Sequence, residues 1–139
     1  MRKRETYLEH LATVPMFSAC PKRELQLLAR AAEEIRIEPG TEIIREGDRG
    51  HEFFVIAEGK AKVTHNGAEV ATLGPGSFFG ELALLDRTTR DATVTALTPM
   101  EVIILGQREF SAVLAQAPSM ANKLMVGMAR RLHELDSKA

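Results

Sequence analysis

Three residue types within Phe79–Val94 could together hold an anion attached to a sugar. Gly80, directly after an apolar strand-like run, allows close backbone approach. It opens one short helical turn whose free N–H groups and positive dipole end favour an anion. Arg90 brings a guanidinium fork to the same stretch. Such a fork can take two phosphate oxygens at once, in charge-assisted bonds roughly twice as strong as neutral ones. Glu81, at the mouth of the turn, would repel a phosphate but could accept hydrogen bonds from a sugar hydroxyl. This division of labour points to a small sugar phosphate. The same residues could equally make a Gly turn, a short linking helix and an Arg90–Asp91 surface pair, and spacing alone leaves both readings open.

Other chemistries find little footing. His10, His51, His65 and His133 do not fall at paired metal-ligand spacing, and no His-x-His occurs. There is no Gly-x-x-x-x-Gly-Lys phosphate loop and no visible set of nucleophile, base and orienting group. Arg130-Arg131 reads as a solvated helix face. The expected function is binding, not turnover, with neither metal nor cofactor.

The elements that must position the cradle follow from punctuation. A short amphipathic helix is expected from about Glu5 to Leu11, ended by Val14-Pro15 because the residue before proline avoids the helical region. Pro21 suits a first helical turn, and Leu25, Leu27, Leu28, Ala31 and Ala32 give the next helix a broad apolar face. Thereafter Gly and Pro turns recur at short intervals between β-favouring runs such as Phe53-Phe54-Val55-Ile56 and Val102-Ile103-Ile104-Leu105. That pattern reads as a sandwich or barrel. Asn66-Gly67 marks a two-residue hairpin with positive φ at both central positions. After Gly106 a helix carrying Phe110, Val113 and Leu114 on one face should run to a break at Pro118. Ser119 can cap a last helix to about Asp136, on which Met120, Leu124, Met128, Leu132 and Leu135 form one stripe, widened by Met125 and Ala129.

The bulk numbers set outer bounds. A chain of 139 residues, 45% hydrophobic and 27% charged, fits one soluble globular domain. No apolar run approaches a membrane span, and a net charge of -1 argues against a generic nucleic-acid surface. The basic start, Met1-Arg2-Lys3-Arg4, lacks the apolar core of a signal peptide. The single cysteine, Cys20, cannot form an internal disulfide and fits a reducing cytoplasm.

Phe79-Gly80-Glu81-Leu82-Ala83-Leu84-Leu85, followed by Arg90-Asp91-Ala92-Thr93-Val94, resembles the phosphate-binding cassette of the cyclic nucleotide-binding domains, the modules of catabolite-activator-type regulators and protein kinase A regulatory subunits. Val14-Pro15-Met16-Phe17 with the helix after it, and Glu46-Gly47-Asp48 with Glu52–Ile56 and Gly59, are similar to that family's opening helices and early glycine turns. The resemblance covers nearly the whole chain. It implies a mainly β fold, a double-stranded β-helix of jelly-roll, cupin-like type with N-terminal helices and two C-terminal helices. The expected layout is one domain over 1–139, with helices over about 1–33, a barrel over 34–105 holding the cassette at 79–94, and helices over 106–136.

The roles it implies are specific. Phe79, Gly80, Glu81, Leu82 and Ala83 would lie around the ribose phosphate, Arg90 would pair the phosphate, and Asp91, Ala92 and Thr93 would offer backbone or side-chain donors. Leu124, Met125 and Met128 would close over the purine. A cyclic phosphodiester carries a single charge, so one Arg and a few N–H groups suffice. The aliphatic lid favours cyclic AMP over cyclic GMP. Ligand binding would move the last helix and signal to an effector protein or a second copy. The chain stops about where a DNA-reading helix-turn-helix would begin.

Two departures matter. Thr89 stands where the family often has proline. Asp91 replaces a usually small residue, and a carboxylate about 4 Å from a phosphate would cost on the order of 4 kcal/mol at an effective dielectric near 20. Either Asp91 points away, which keeps a sensor, or it locks Arg90 in a salt bridge. The second outcome would leave a degenerate domain serving protein interaction or dimerisation.

Overall fold

Strand-forming runs separated by tight turns recur from residue 33 to 84 and from 88 to 106 in the computed structural model of the chain, which describes residues 2–84 and 88–138. In chain order they are β1 (Glu33–Ile37), β2 (Glu42–Ile44), β3 (Arg49–Gly50), β4 (Glu52–Glu58), β5 (Ala61–His65), β6 (Ala68–Leu73), β7 (Phe78–Phe79), β8 (Thr88–Thr89), β9 (Thr93–Ala96) and β10 (Met100–Gly106). One antiparallel sheet has the order β1-β10-β4-β7 and a second the order β2-β9-β5-β6; β3 and β8 form a separate two-stranded ladder. Neighbours in space are mostly distant in sequence, as a jelly roll requires. The expected hairpin at Asn66-Gly67 is present. Asn66 has φ +52° and Gly67 φ +81°, and His65 pairs with Ala68 across the turn.

Two-residue alternation places the barrel core. Phe54, Ile56 and Val102 from the first sheet pack with Ala61, Val94 and Ala96 from the second, all at most 3% exposed. Each large side chain so buried is worth about 1.5–3 kcal/mol. Phe54 also stacks on Phe79 at a centroid distance of 4.8 Å and 13° between planes, where β4 and β7 hold them in register. Phe53 and Val55 alternate to the other face, and both are fully buried. The strand is thus apolar on both faces, which is why Phe53-Phe54-Val55-Ile56 reads as an unbroken run.

Residues 32–107 make one compact unit; residues 1–31 and 108–139 make the other, which is helical. Its elements are α1 (Arg2–Thr13), a 3-10 turn (Pro15–Phe17), α2 (Lys22–Ala31), α3 (Gln107–Gln116) and α4 (Met120–Lys138). α1 is longer than its sequence pattern suggests, and the Thr13 hydroxyl donates to the His10 carbonyl (2.6 Å), satisfying a C-terminal acceptor. It ends before Pro15 as expected, with Val14 extended at φ -72°, ψ 123°. Leu11, Val14, Met16, Phe17, Leu28, Phe110 and Met120 are buried in this unit. The stripe on α4 is only partly interior. Met120 and Leu124 are buried, while Met125 and Leu132 are 68% and 62% exposed. The Leu135 side chain lies outside the described residues. Among the described residues no helix is long and apolar enough to cross a membrane.

Candidate functional site

Arg90 is the centre of the site, and its backbone is fixed before its side chain is. The Arg90 N–H donates to the Asp48 carbonyl (2.7 Å), and the Gly47 N–H donates back to the Arg90 carbonyl (2.9 Å). The turn between β2 and β3 therefore clips the residue in place from both sides. The residue is only 9% exposed. Nη2 donates to the Glu52 carbonyl at 2.8 Å, and Cζ lies 5.9 Å from the centre of the Phe54 ring, within cation–π range.

Two glycines make room for the guanidinium. A Cβ on Gly50 would overlap Nε and Cζ of Arg90, and one on Gly80 would sit 2.6 Å from Nη1 and 2.8 Å from the Glu52 carbonyl oxygen. Gly80 also has φ +81°, in the left-handed region that other residues avoid. Burial lowers the Arg90 pKa from its ordinary value, and the Glu52 carboxylate opposes that shift. A guanidinium has five N–H donors. Among the described residues the side chain spends one on the Glu52 carbonyl and forms no ion pair with Asp91. A nearly buried cation with unspent donors is what a small anion needs.

Those donors border a pocket of about 230 Å³. Phe79, Gly80 and Ala83 line it from β7 and the following 3-10 turn (Glu81–Leu84), and Arg90, Asp91 and Ala92 from the segment before β9. Ile44, Val63 and Val94 supply apolar wall. A neighbouring cavity of about 260 Å³ shares Ile44 and Arg90 but is lined by Glu42, Asp48 and Glu52. Arg45 and Arg49 line it as well, so its carboxylates and guanidiniums balance, and Arg45 is already paired with Glu42 at 2.8 Å.

Six of the residues singled out from sequence are thus together: Phe79, Gly80, Ala83, Arg90, Asp91 and Ala92. The turn does form, but the Ala83 N–H is committed to the Gly80 carbonyl (3.0 Å), so it is not one of the free donors expected there. The side chains of Glu81 and Leu82 lie outside the described residues. Thr93 is half-buried, and its hydroxyl accepts the Glu46 N–H at 2.9 Å; the O–H remains available to donate. Leu124, Met125 and Met128 belong to α4 in the helical unit, where Leu124 is buried, Met128 half-buried and Met125 exposed.

Asp91 is exposed, and its backbone carbonyl accepts from Nδ1 of His65 at 2.7 Å. Gly50, Phe54 and the carbonyls of Asp48 and Glu52 were not legible as site groups. Their contacts with Arg90 are created by the β3–β8 and β4–β7 ladders, and no local spacing signals them. Among the described residues no group of three or more His, Cys, Asp or Glu side chains could hold a metal ion.

The chain is thus a two-sheet antiparallel barrel with a buried arginine beside a glycine-opened turn. Comparison with known proteins narrows the class. Residues 34–117 match the family model for the cyclic nucleotide-binding domain. Over 117 residues the chain is 38% identical to a cAMP-dependent protein kinase regulatory subunit of Schizosaccharomyces pombe, covering 84% of this chain and 28% of that subunit. The N-terminal domain of a transcriptional regulator from Streptomyces coelicolor A3(2) is similar with a TM-score of 0.83 at 32% identity, covering 92% of this chain and 95% of that one. The regulatory domain of Toxoplasma gondii PKA, crystallised with cAMP, is similar with a TM-score of 0.74 at 32% identity, covering 81% and 45%. The chain belongs to the cyclic nucleotide-binding domain family, and it spans under a third of the length of the S. pombe subunit.

Proposed function

We propose that the chain is a cyclic AMP sensor that binds its ligand at the Phe79–Val94 cassette and reports occupancy through α4. The observation that carries this reading is Arg90, held nearly buried between Gly50 and Gly80 with donors unspent beside the pocket. In this reading the phosphate pairs with Arg90, the ribose meets Gly80, Glu81, Leu82 and Ala83, and Phe79 forms part of the apolar wall. Ala92 and Thr93 supply donors, and Asp91 stays in solvent. A pocket of about 230 Å³ is below the roughly 300–1,000 Å³ usual for ligand sites, so it suits the ribose phosphate and leaves the purine to be covered by another element. Leu124, Met125 and Met128 are assigned that role.

Cyclic AMP is favoured over cyclic GMP because the lid is aliphatic and because the similar proteins include cAMP-dependent kinase subunits and a cAMP complex. The effector is a protein, or a second copy bound through α4. No turnover is assigned to the site, and the reducing cytoplasm is the expected setting. Occupancy can move α4 only through different affinity for its two positions. The competing reading, a degenerate domain, would be favoured by Arg90 locked to Asp91 and a pocket filled by side chains; among the described residues that ion pair is absent, which supports the sensor.

Titration calorimetry with cyclic AMP and cyclic GMP tests the proposal. Cyclic AMP should bind the wild type. Arg90→Ala should weaken binding by roughly ten- to a hundredfold, since a charged hydrogen bond is worth about 1.5–3 kcal/mol. Asp91→Ala should change affinity less than threefold. No heat from the wild type with either nucleotide would sink the sensor, and binding gained only in Asp91→Ala would restore the degenerate reading.

A further inference from the structure

The β5–β9 ladder stops at Thr64↔Thr93, so Asp91 and Ala92 lie beyond its last paired residues. Their support comes instead from the tip of the β5–β6 hairpin. His65 Nδ1 lies 2.7 Å from the Asp91 carbonyl oxygen, and Asn66 Nδ2 lies 3.2 Å from His65 Nε2. A carbonyl only accepts. The Asp91 contact thus requires a hydrogen on Nδ1.

Glu46 braces the same corner. Its carboxylate accepts the Asn66 N–H at 3.0 Å and stands 3.6 Å from His65 Nδ1, while its own N–H donates to Thr93 Oγ1. A side chain thus replaces the backbone bond that a longer ladder would have made.

The consequence falls on the pocket side. The chain has no cis peptide bonds among the described residues, and in a trans peptide the C=O and the following N–H point in opposite directions. Holding the Asp91 carbonyl against His65 therefore turns the Ala92 N–H away from the hairpin. Ala92 lines the pocket, and its N–H has no partner among the described residues. We infer that His65 is a positioning residue for ligand binding: it fixes the Asp91–Ala92 peptide plane so that the Ala92 amide is presented to the phosphate held by Arg90. The inference rests on the cyclic nucleotide reading of the pocket.

Calorimetry with cyclic AMP on the full chain tests it, using His65→Ala and His65→Asn. The Asn side chain places an amide N–H near the position of Nδ1. His65→Ala should weaken cyclic AMP binding roughly three- to tenfold, the worth of one neutral hydrogen bond. His65→Asn should return it to within twofold of the wild type. His65→Ala binding as tightly as the wild type, or His65→Asn binding as weakly as the alanine variant, overturns the inference. Nuclear magnetic resonance of the free protein separates this outcome from failure of the binding reading. Should the wild type bind neither nucleotide, the sensor falls. His65 still stands as the holder of the peptide if its Nδ1 carries a hydrogen and the Asp91 carbonyl and Ala92 amide shifts move in His65→Ala and return in His65→Asn. An Nε2–H tautomer refutes it whatever the calorimetry shows.

Discussion

A methyl group is the smallest probe of the arginine cradle, and Gly50 is the place to put it. Its Cβ would overlap Nε and Cζ of Arg90, whereas its backbone conformation is not one that excludes side chains. Gly50→Ala should therefore leave the fold intact and push the guanidinium off the Glu52 carbonyl. Cyclic AMP affinity should fall about tenfold, or ~1.4 kcal/mol, with little change in thermal midpoint by circular dichroism. Affinity equal to the wild type would show that Arg90 tolerates displacement and that the cradle does not pre-organise it. The sequence names Gly80 and Arg90 because a glycine at a turn and an arginine beside small residues have local meaning. Gly50 carries no such mark. Its importance comes from antiparallel pairing of Arg49 with Thr89, which brings two turns together, and pairing between distant segments has no local signature.

Elements carry a different test, in the helical unit. Glu24 on α2 is 1% exposed, and its Oε2 accepts from Lys123 Nζ on α4 at 2.7 Å, while Oε1 has no partner among the described residues. Lys123→Met strands that carboxylate. The loss should be about 2 kcal/mol in urea unfolding, less than the roughly 3–5 kcal/mol of a fully buried pair because the Lys123 side chain is one-third exposed. Adding Glu24→Gln should recover most of it, since a neutral amide needs no counter-ion; a double variant as unstable as Lys123→Met would assign the loss to packing.

Cys20 reports on the same corner. Burial first, then the nearby Glu24 carboxylate, push its thiol up to about 11, with Lys123 opposing. A raised pKa of this kind leaves stability intact below about 9 and erodes it as pH rises toward 11. The thiol should accordingly resist alkylation in the folded protein at pH 8 and react on unfolding. Fast labelling of the folded chain at pH 8 would contradict this.

Gly127 gives a test of opposite sign to helix propensity. Gly→Ala in a helix normally stabilises by about 1 kcal/mol, but here the methyl would meet the Pro15 carbonyl and lie 2.7 Å from that of Met16. Gly127→Ala should lower the thermal midpoint. A rise would mean that α4 is not held against the 3-10 turn. The helices themselves were legible from proline breaks and apolar spacing; this docking was not, because a glycine inside a helix looks like a weakness until the neighbour it admits is known.

The molecule as a whole leaves part of α4 without a covering surface in its own unit. Met125, Val126 and Leu132 are 68%, 45% and 62% exposed, and Met125 and Leu132, seven residues apart, fall on one helix face. Under the proposed function this face either covers the purine or joins a second copy, and sedimentation velocity separates the two. A homodimer should run at twice the 15.3 kDa chain mass. Met125→Glu with Leu132→Glu should return it to monomer at an unchanged melting temperature, because neither side chain is interior in the chain. A wild-type monomer at the concentrations used for calorimetry, with cyclic AMP and without, would remove the dimer and leave the face to the purine. Should cyclic AMP tighten the dimer by some factor, linkage demands that dimerisation tighten cyclic AMP binding by the same factor. Titrating the nucleotide above and below the dimer dissociation constant therefore measures whether α4 reads the pocket, and equal affinity in both regimes would mean that it does not.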